Sequence, residues 1–525
     1  MSLKRMLIPL LILLIAVGVL NPVAAQSTTL RMALQEGDAN SLDPQQYQTL
    51  GEFQILSNVY DGLVRYNQKT LQPEADLATS WDVSADGLTY TFHLRSGVTF
   101  TNGRALTADD VVYSFNRLAN AKIATTYATS LILGSVAGFA DVQSGAATTL
   151  SGVKAVDPQT VQITLSAPNS ALLPALTMVP AAIIPKEAAD DADTFGDQPV
   201  GTGPYMVKEW VKQDHITLDA NPNYWGGKPA IDEVIMRVIP EKSTALNEFE
   251  AGNLDMVLVP PSDIARYRAD ATLSKELQDQ AILSIFWLPL NLTVKPLDNV
   301  KVRQAMSYAI DRQSIVDNIL QGQGKVAQGP LPPGLSAYDP NYNPFPFDPD
   351  KAKQLLSDAG YPNGIDIVIR NWNDEVQTRV MTAIQSNWAD VGIRATFDQS
   401  EYTDYINDMG VCKFQVAVSS WTADYADADD FINPLPLSDL NTMGKDCGQG
   451  QYPDAKNDAL KALTLPLGAD RDKLYQQAQD AAAYQDVLGI FLYNTGATLA
   501  VAPNVQGAYL DGFENIKLAP ITLSS

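Results

Sequence analysis

From Asp350 to Ala417 the spacing of apolar residues switches three times between helix and strand, and this rhythm limits the fold more than any other feature. Ala352, Leu355, Leu356 and Ala359 recur at helical spacing and stop at Gly360, and Ile365 to Arg370 then reads as a strand. Val380, Ile384, Trp388 and Val391 form a second helical stripe ending at Gly392. Ile393, Ala395 and Phe397 alternate as a strand, and Val416-Ala-Val-Ser-Ser-Trp421 is the next strand in the series. Strands separated by single helices lie parallel, because each helix carries the chain back across a sheet face. Ligands in such layers meet loops at the carboxyl ends of the strands. The loop after Trp421 runs Thr422-Ala-Asp424-Tyr425-Ala-Asp427-Ala-Asp429-Asp430, aromatic and acidic together.

A chain of 525 residues is too long for one core, and the usual size of about 100–200 residues per domain predicts about three. The remaining text is mixed. A strand is expected from Thr28 to Gln35, then a turn at Ser41-Leu-Asp-Pro44 and a helix through Phe53, Leu56 and Tyr60. Ala78–Val83 and Leu88–Arg95 flank Ala85-Asp86-Gly87 as a hairpin, with Leu88, Tyr90, Phe92 and Leu94 on one face. Thr107 with Asp110 opens a capped helix, and strands follow at Ser151–Val156 and Thr160–Leu165. Ile231–Ile239 reads as a strand buried on both faces, Ser243–Glu250 as a helix, Leu254–Val259 as a strand and Ala281–Leu292 as a long strand. The proline-rich stretch Gly329–Pro349 is expected to pack as a rigid cover.

Residues 1–25 read as a cleaved export signal: Lys4 and Arg5, an apolar run from Met6 to Leu20, and the small-residue end Val23-Ala24-Ala25. Without them 34 basic and 60 acidic residues remain, a net charge of −26. With no basic patch, nucleic acid and anionic membrane surfaces are excluded as partners. Cys412 and Cys447, the only two cysteines, are expected to bridge in an exported chain and to clamp the acidic loop between them.

Catalytic text is sparse. The two histidines, His93 and His215, both fall in strand patterns. No histidine triad, zinc cluster, nucleophile elbow or Walker loop is present, and the glycines at 201 and 203 make a turn. Carboxylate pairs leave glycoside hydrolysis open. Asp427, Asp429 and Asp430 lack the glycine and terminal glutamate of a calcium loop and are read as loop structure and solvated carboxylates. No metal or cofactor is expected. Asp424, between two aromatics just past a strand end, is the candidate ligand contact.

Several motifs taken in order carry a resemblance: Leu42-Asp-Pro44, Tyr60-Asp-Gly-Leu63, Asp86-Gly-Leu-Thr-Tyr-Thr-Phe-His-Leu-Arg-Ser-Gly-Val98, Gly201-Thr-Gly-Pro-Tyr205, Asn221-Pro-Asn-Tyr-Trp225 and Val302-Arg-Gln-Ala-Met-Ser-Tyr-Ala-Ile-Asp-Arg312. The chain resembles the family 5 extracytoplasmic solute-binding proteins of peptide and nickel ABC importers. The resemblance implies an α/β, periplasmic-binding-protein-like fold of two lobes with an inserted α+β domain, three domains in all. Lobe 1 would comprise 26–60, 186–287 and 493–525, the insertion 61–185 and lobe 2 288–492, with hinge crossings near Trp287 and Tyr493. It implies an extracytoplasmic, monomeric, non-enzymatic protein that captures a small peptide and delivers it to ABC permease subunits. Asp424 would meet the peptide ammonium and Trp421 would line a pocket, with Tyr425, Thr422 and Leu50 as further contacts. Arg379, or alternatively Arg370, would take the carboxylate. An oligosaccharide, stacked on Trp421, Trp372 and Tyr425, is the alternative ligand within the fold. Nickel is disfavoured by the histidine count, and a secreted hydrolase is the alternative class.

Overall fold

A computed structural model describes residues 28–35, 37–123, 126–190, 192–433 and 446–524. The expected export signal lies outside them. Among the described residues no helix is long and apolar enough to cross a membrane. The fold is mixed α/β with two lobes and an added domain, each built around its own apolar core.

Strand Thr29–Leu34 sits in the first lobe between Glu233–Val238 and Met256–Leu258 and runs parallel to both. Its alternation turns Leu30, Met32 and Leu34 into the core. Glu233–Val238 buries Val234 and Met236 but leaves Glu233, Ile235 and Arg237 only half covered. Burial on both faces is therefore corrected to burial on one. Arg237 uses the open face to pair with Glu248 at 2.6 Å, an outlet that an apolar count does not register.

In the added domain, Ala78–Val83 and Thr89–Leu94 form the expected hairpin, extended by Thr160–Thr164 and Val153–Asp157 into a four-stranded antiparallel sheet. Gly87, at φ +71°, makes the turn that a side chain would strain. Helix Ala108–Leu118 opens with a capping box between Thr107 and Asp110. It lays Val111, Phe115 and Leu118 into the core shared with Tyr90, Phe92 and Ile163.

The second lobe follows the opening rhythm as far as Ala417, but the expected single strand Val416–Trp421 is two, Val416–Ala417 in the parallel sheet and Ser419–Thr422 antiparallel to Ser284–Trp287 in the sheet of the crossing strand. Ile365–Trp372 pairs in parallel with Ile393–Ser400, from Ile365 with Ile393 to Trp372 with Ser400, and in parallel with Val416–Ala417. Helix Glu375–Ala389 makes the crossover and buries Val380, Met381, Ile384 and Trp388. Between Gly329 and Asp348 the proline-rich stretch presses Leu331, Leu335 and Phe345 onto this core. Arg303 and Arg312 are buried and held by backbone carbonyls. Arg303 donates to the carbonyls of Leu297, Asp486 and Val487, and Arg312 donates to Phe491 O at 2.7 Å. Burial lowers the Arg312 guanidinium to a pKa of about 9.

One long strand, Gly489–Val501, joins the lobes. Its first part pairs with Ser284–Pro289 and Gly324–Val326, and its second with Leu277–Ala281 and Met256–Leu258. Of the expected strand Ala281–Leu292, Ser284–Pro289 is a strand, Ala281 ends the preceding strand Leu277–Ala281, and Ile282 and Leu283 separate the two along the crossing. Gly489 lets Trp287 lie on the backbone, since a Cβ there would stand 2.5 Å from the indole.

The cysteines are bridged, with Cα atoms 5.6 Å apart and 35 residues of separation. Chain-entropy bookkeeping for such a loop gives about 4 kcal/mol. The paired substitution Cys412→Ser/Cys447→Ser is expected to lower unfolding free energy by about that amount in urea titrations. A loss under about 1 kcal/mol would show that the loop is held without the bridge.

Candidate functional site

The site is built where strand Ser419–Thr422 leaves the sheet. It pairs antiparallel with Ser284–Trp287, placing Trp421 opposite Ile285, and Ala423 N donates to Leu283 O at 2.8 Å. The chain then turns through Asp424–Ala428 into the short helix Asp429–Ile432. Asp430 organises the turn. Its Oδ2 accepts from Asp424 N at 2.8 Å and from Trp421 Nε1 at 3.4 Å, and the residue is 0% exposed. The turn therefore holds the half-buried Asp424 beside Trp421, while Thr422 stands exposed at the strand edge.

The other acids are not solvated, which corrects the sequence reading of Asp427, Asp429 and Asp430. Arg471 grips Asp427 with two parallel bonds of 2.9 and 2.7 Å, and its Nε donates to Ser170 Oγ of the added domain at 2.7 Å. Asp429 accepts from the hydroxyls of Tyr425 at 2.8 Å and Tyr475 at 3.2 Å. Water alone would have served these carboxylates in an open loop. A buried loop needs protein donors instead, and Arg471 and Tyr475 supply them from far along the chain.

Tyr425 is likewise corrected. It is 2% exposed, its hydroxyl is engaged by Asp429, and its ring joins the core of the added domain. It anchors one domain to another and offers no face to a ligand. Arg370, the alternative carboxylate partner, is buried between Asp398 at 3.0 Å and Asp408 at 2.5 Å. Arg379 stands exposed on its helix, about 200° around the axis from Gln377, and the structure does not gather it with Asp424. Leu50 begins helix Leu50–Val59 and is 37% exposed, lining a small cleft with Gln35, Leu258 and Leu499.

Sequence reasoning missed Tyr47. Glu52 accepts from the backbone of Asn40, Gln48 and Thr49, so the loop before the first helix is pinned by one carboxylate. Thr49 and Glu52 form a capping box, a signal legible in the sequence. Tyr47, on that loop, stacks against Phe53 at 6.3 Å. Burial raises the Tyr47 hydroxyl pKa, and the charges of Asp424, Asp430 and Glu52 raise it further, which brings a first-lobe ring to the second-lobe acids.

Burial is also the main reason Asp430 takes up its proton well above the usual carboxylate range, with the Asp424 charge adding to it. A raised carboxyl favours the folded state below about pH 4, and that contribution is lost as pH rises through the folded pKa. Asp430→Asn, which cannot ionise, is expected to gain stability over the parent by a margin that grows from pH 4 to pH 8 in denaturant melts. A margin independent of pH would contradict a buried, ionisable Asp430.

A cavity of about 440 Å³ also lies at the seam of the first lobe and the added domain, lined by Asp61, Arg65, Asp76 and Lys517. Its charges serve one another and the scaffold: Thr202 and Trp225 both donate to Asp61 at 2.9 Å, Arg65 lies 3.9 Å from Asp76, and Lys517 donates to Ser57 O at 2.8 Å.

A profile of the bacterial extracellular solute-binding proteins, family 5, matches residues 72–441. The heme-binding protein A of Haemophilus influenzae is 33% identical over 80% of this chain and 79% of its own length. The dipeptide-binding protein of Escherichia coli is 32% identical over 92% of this chain and 93% of its own length. The solved structure of HbpA2 from Haemophilus parasuis superposes with a TM-score of 0.82 at 29% identity, covering 95% of this chain and all of that one. The chain belongs to the bacterial extracellular solute-binding proteins, family 5.

Proposed function

We propose that this protein captures short peptides between its lobes outside the cytoplasm, after removal of residues 1–25, and passes them to the permease of an ABC importer without chemical change. Likeness to a dipeptide-binding protein over 92% of the chain supports this reading. The observation that carries it is the acidic turn in which the half-buried Asp424 stands beside Trp421 and donates its backbone N–H to the buried Asp430. The half-buried Asp424 carboxylate favours a cationic ligand group, and a peptide's α-ammonium supplies one. Trp421 would wall the adjoining side chain, with Thr422 and Leu50 at the rim.

Heme is the competing ligand, because the relative at 33% identity is named for it. The histidines do not favour it: His93 Nε2 lies 3.0 Å from Asp82, and His215 Nδ1 lies 2.7 Å from Asp214, both on strands outside the site. Titration with alanine peptides, their N-acetyl forms and heme separates the readings. Free peptides binding while acetylated ones fail supports the ammonium site, and heme binding alone overturns it.

A further inference from the structure

We propose that Asn371 and Gln377 form a neutral subsite that takes an amide group of the ligand, so that this end of the cleft selects a peptide unit or a terminal carboxamide over a terminal carboxylate. The inference rests on the peptide reading above and deepens it.

Asn371 follows Ile365, Ile367 and Ile369 on the core face of its strand, at the carboxyl end. Gln377 heads the buried stripe Val380, Met381, Ile384 and Trp388 of the following helix, at its amino end. Strand core face and helix core face pack on each other, so the two carboxamides close the same layer at the end where α/β sheets meet ligands. Every other position in the two stripes is apolar. Asn371 is 3% exposed and Gln377 2% exposed. Among the described residues, Asn371 Oδ1, Gln377 Oε1 and Gln377 Nε2 have no hydrogen-bond partner. A buried amide atom left unpaired costs about 1–3 kcal/mol, and three such atoms in one layer call for a group that satisfies them.

The chemistry of that group follows from the atoms. Gln377 Nε2 donates, whereas Gln377 Oε1 and Asn371 Oδ1 accept. A ligand group with one C=O and one N–H matches both kinds, and a carboxylate has no proton for either acceptor. Neither arginine of these two elements is turned toward the layer: Arg370 is engaged by Asp398 and Asp408 from the alternate face of the strand, and Arg379 stands on the far side of the helix. The charge nearby is negative, for Asp374 caps the helix by accepting from Gln377 N at 2.7 Å. Burial, with the Asp374 charge, raises the hydroxyl pKa of Tyr493 on the crossing strand. A ligand carboxylate here would meet repulsion and two unpaired acceptors.

The test titrates alanine peptides of two to five residues, as free acids and as C-terminal amides, into the wild-type protein and Gln377→Leu, with ligand-free melts of both. Amidation is expected to leave wild-type affinity within threefold or to improve it. Gln377→Leu is expected to weaken binding of the same peptides at least tenfold, with a ligand-free melting temperature unchanged or raised. Should Gln377→Leu fail to fold, Asn371→Ser replaces it with the same expectation for affinity. Unchanged affinity in the variant, a lowered ligand-free melting temperature, or a tenfold loss on amidation overturns the subsite while the peptide reading stands. Failure of the wild-type protein to bind any of the peptides overturns both.

Discussion

Asp424→Asn is expected to lower peptide affinity about a hundredfold, or about 3 kcal/mol, with little change in ligand-free stability. The substitution keeps the shape and removes the charge. Breaking a buried ion pair costs about 3–5 kcal/mol, and the lower end applies because Asp424 is only half-buried. The sharper measurement is a double cycle in titration calorimetry. N-acetylation of the peptide should cost the wild-type protein what Asp424→Asn costs, and should cost the variant little more, because both changes remove one interaction. Additive losses would show that ammonium and carboxylate do not meet. The backbone N–H of Asp424 still donates to Asp430 in the variant, so the turn itself is retained.

The largest effect on stability is expected at Arg471. Arg471→Met leaves Asp427 buried and uncompensated and removes the bond to Ser170, for a loss of about 3–5 kcal/mol in urea titrations. Asp427→Leu combined with Arg471→Met should recover much of that loss, since neither charge of the pair then remains to be compensated. A single-variant loss below about 1 kcal/mol, or no recovery in the pair, would show that the fork is exposed in solution. Because Arg471 touches both the loop that carries Asp424 and the added domain, Arg471→Met should also weaken peptide binding.

How much of this was legible depends on the range of the interaction. The hairpin at Asp86-Gly87, the capped helix at Thr107 and the parallel strands after Asp350 rest on neighbours a few residues apart. Those contacts are written in periodicity, caps and turns. The cysteine bridge, 35 residues apart, was legible only because two cysteines leave one pairing. Asp424 was singled out because it lies just past a strand end between two aromatics. Tyr47 was missed although its loop announces itself through Thr49 and Glu52, because nothing local connects that loop to a carboxylate more than 370 residues away.

Alternation and helical stripes by themselves determined the mixed α/β class, the parallel layer and the position of the acidic loop just past a strand. Tertiary structure alone decided what each polar residue in that loop does. Asp424, Asp427, Asp429 and Asp430 are one residue type within seven positions. Burial and distant donors divide them into a half-buried carboxylate beside Trp421, an ion pair with Arg471, an acceptor for two tyrosines and the keystone of the turn. The physical reason is that a side chain's charge and shape come with its identity, whereas its desolvation and its partners come from chain segments that only folding brings together.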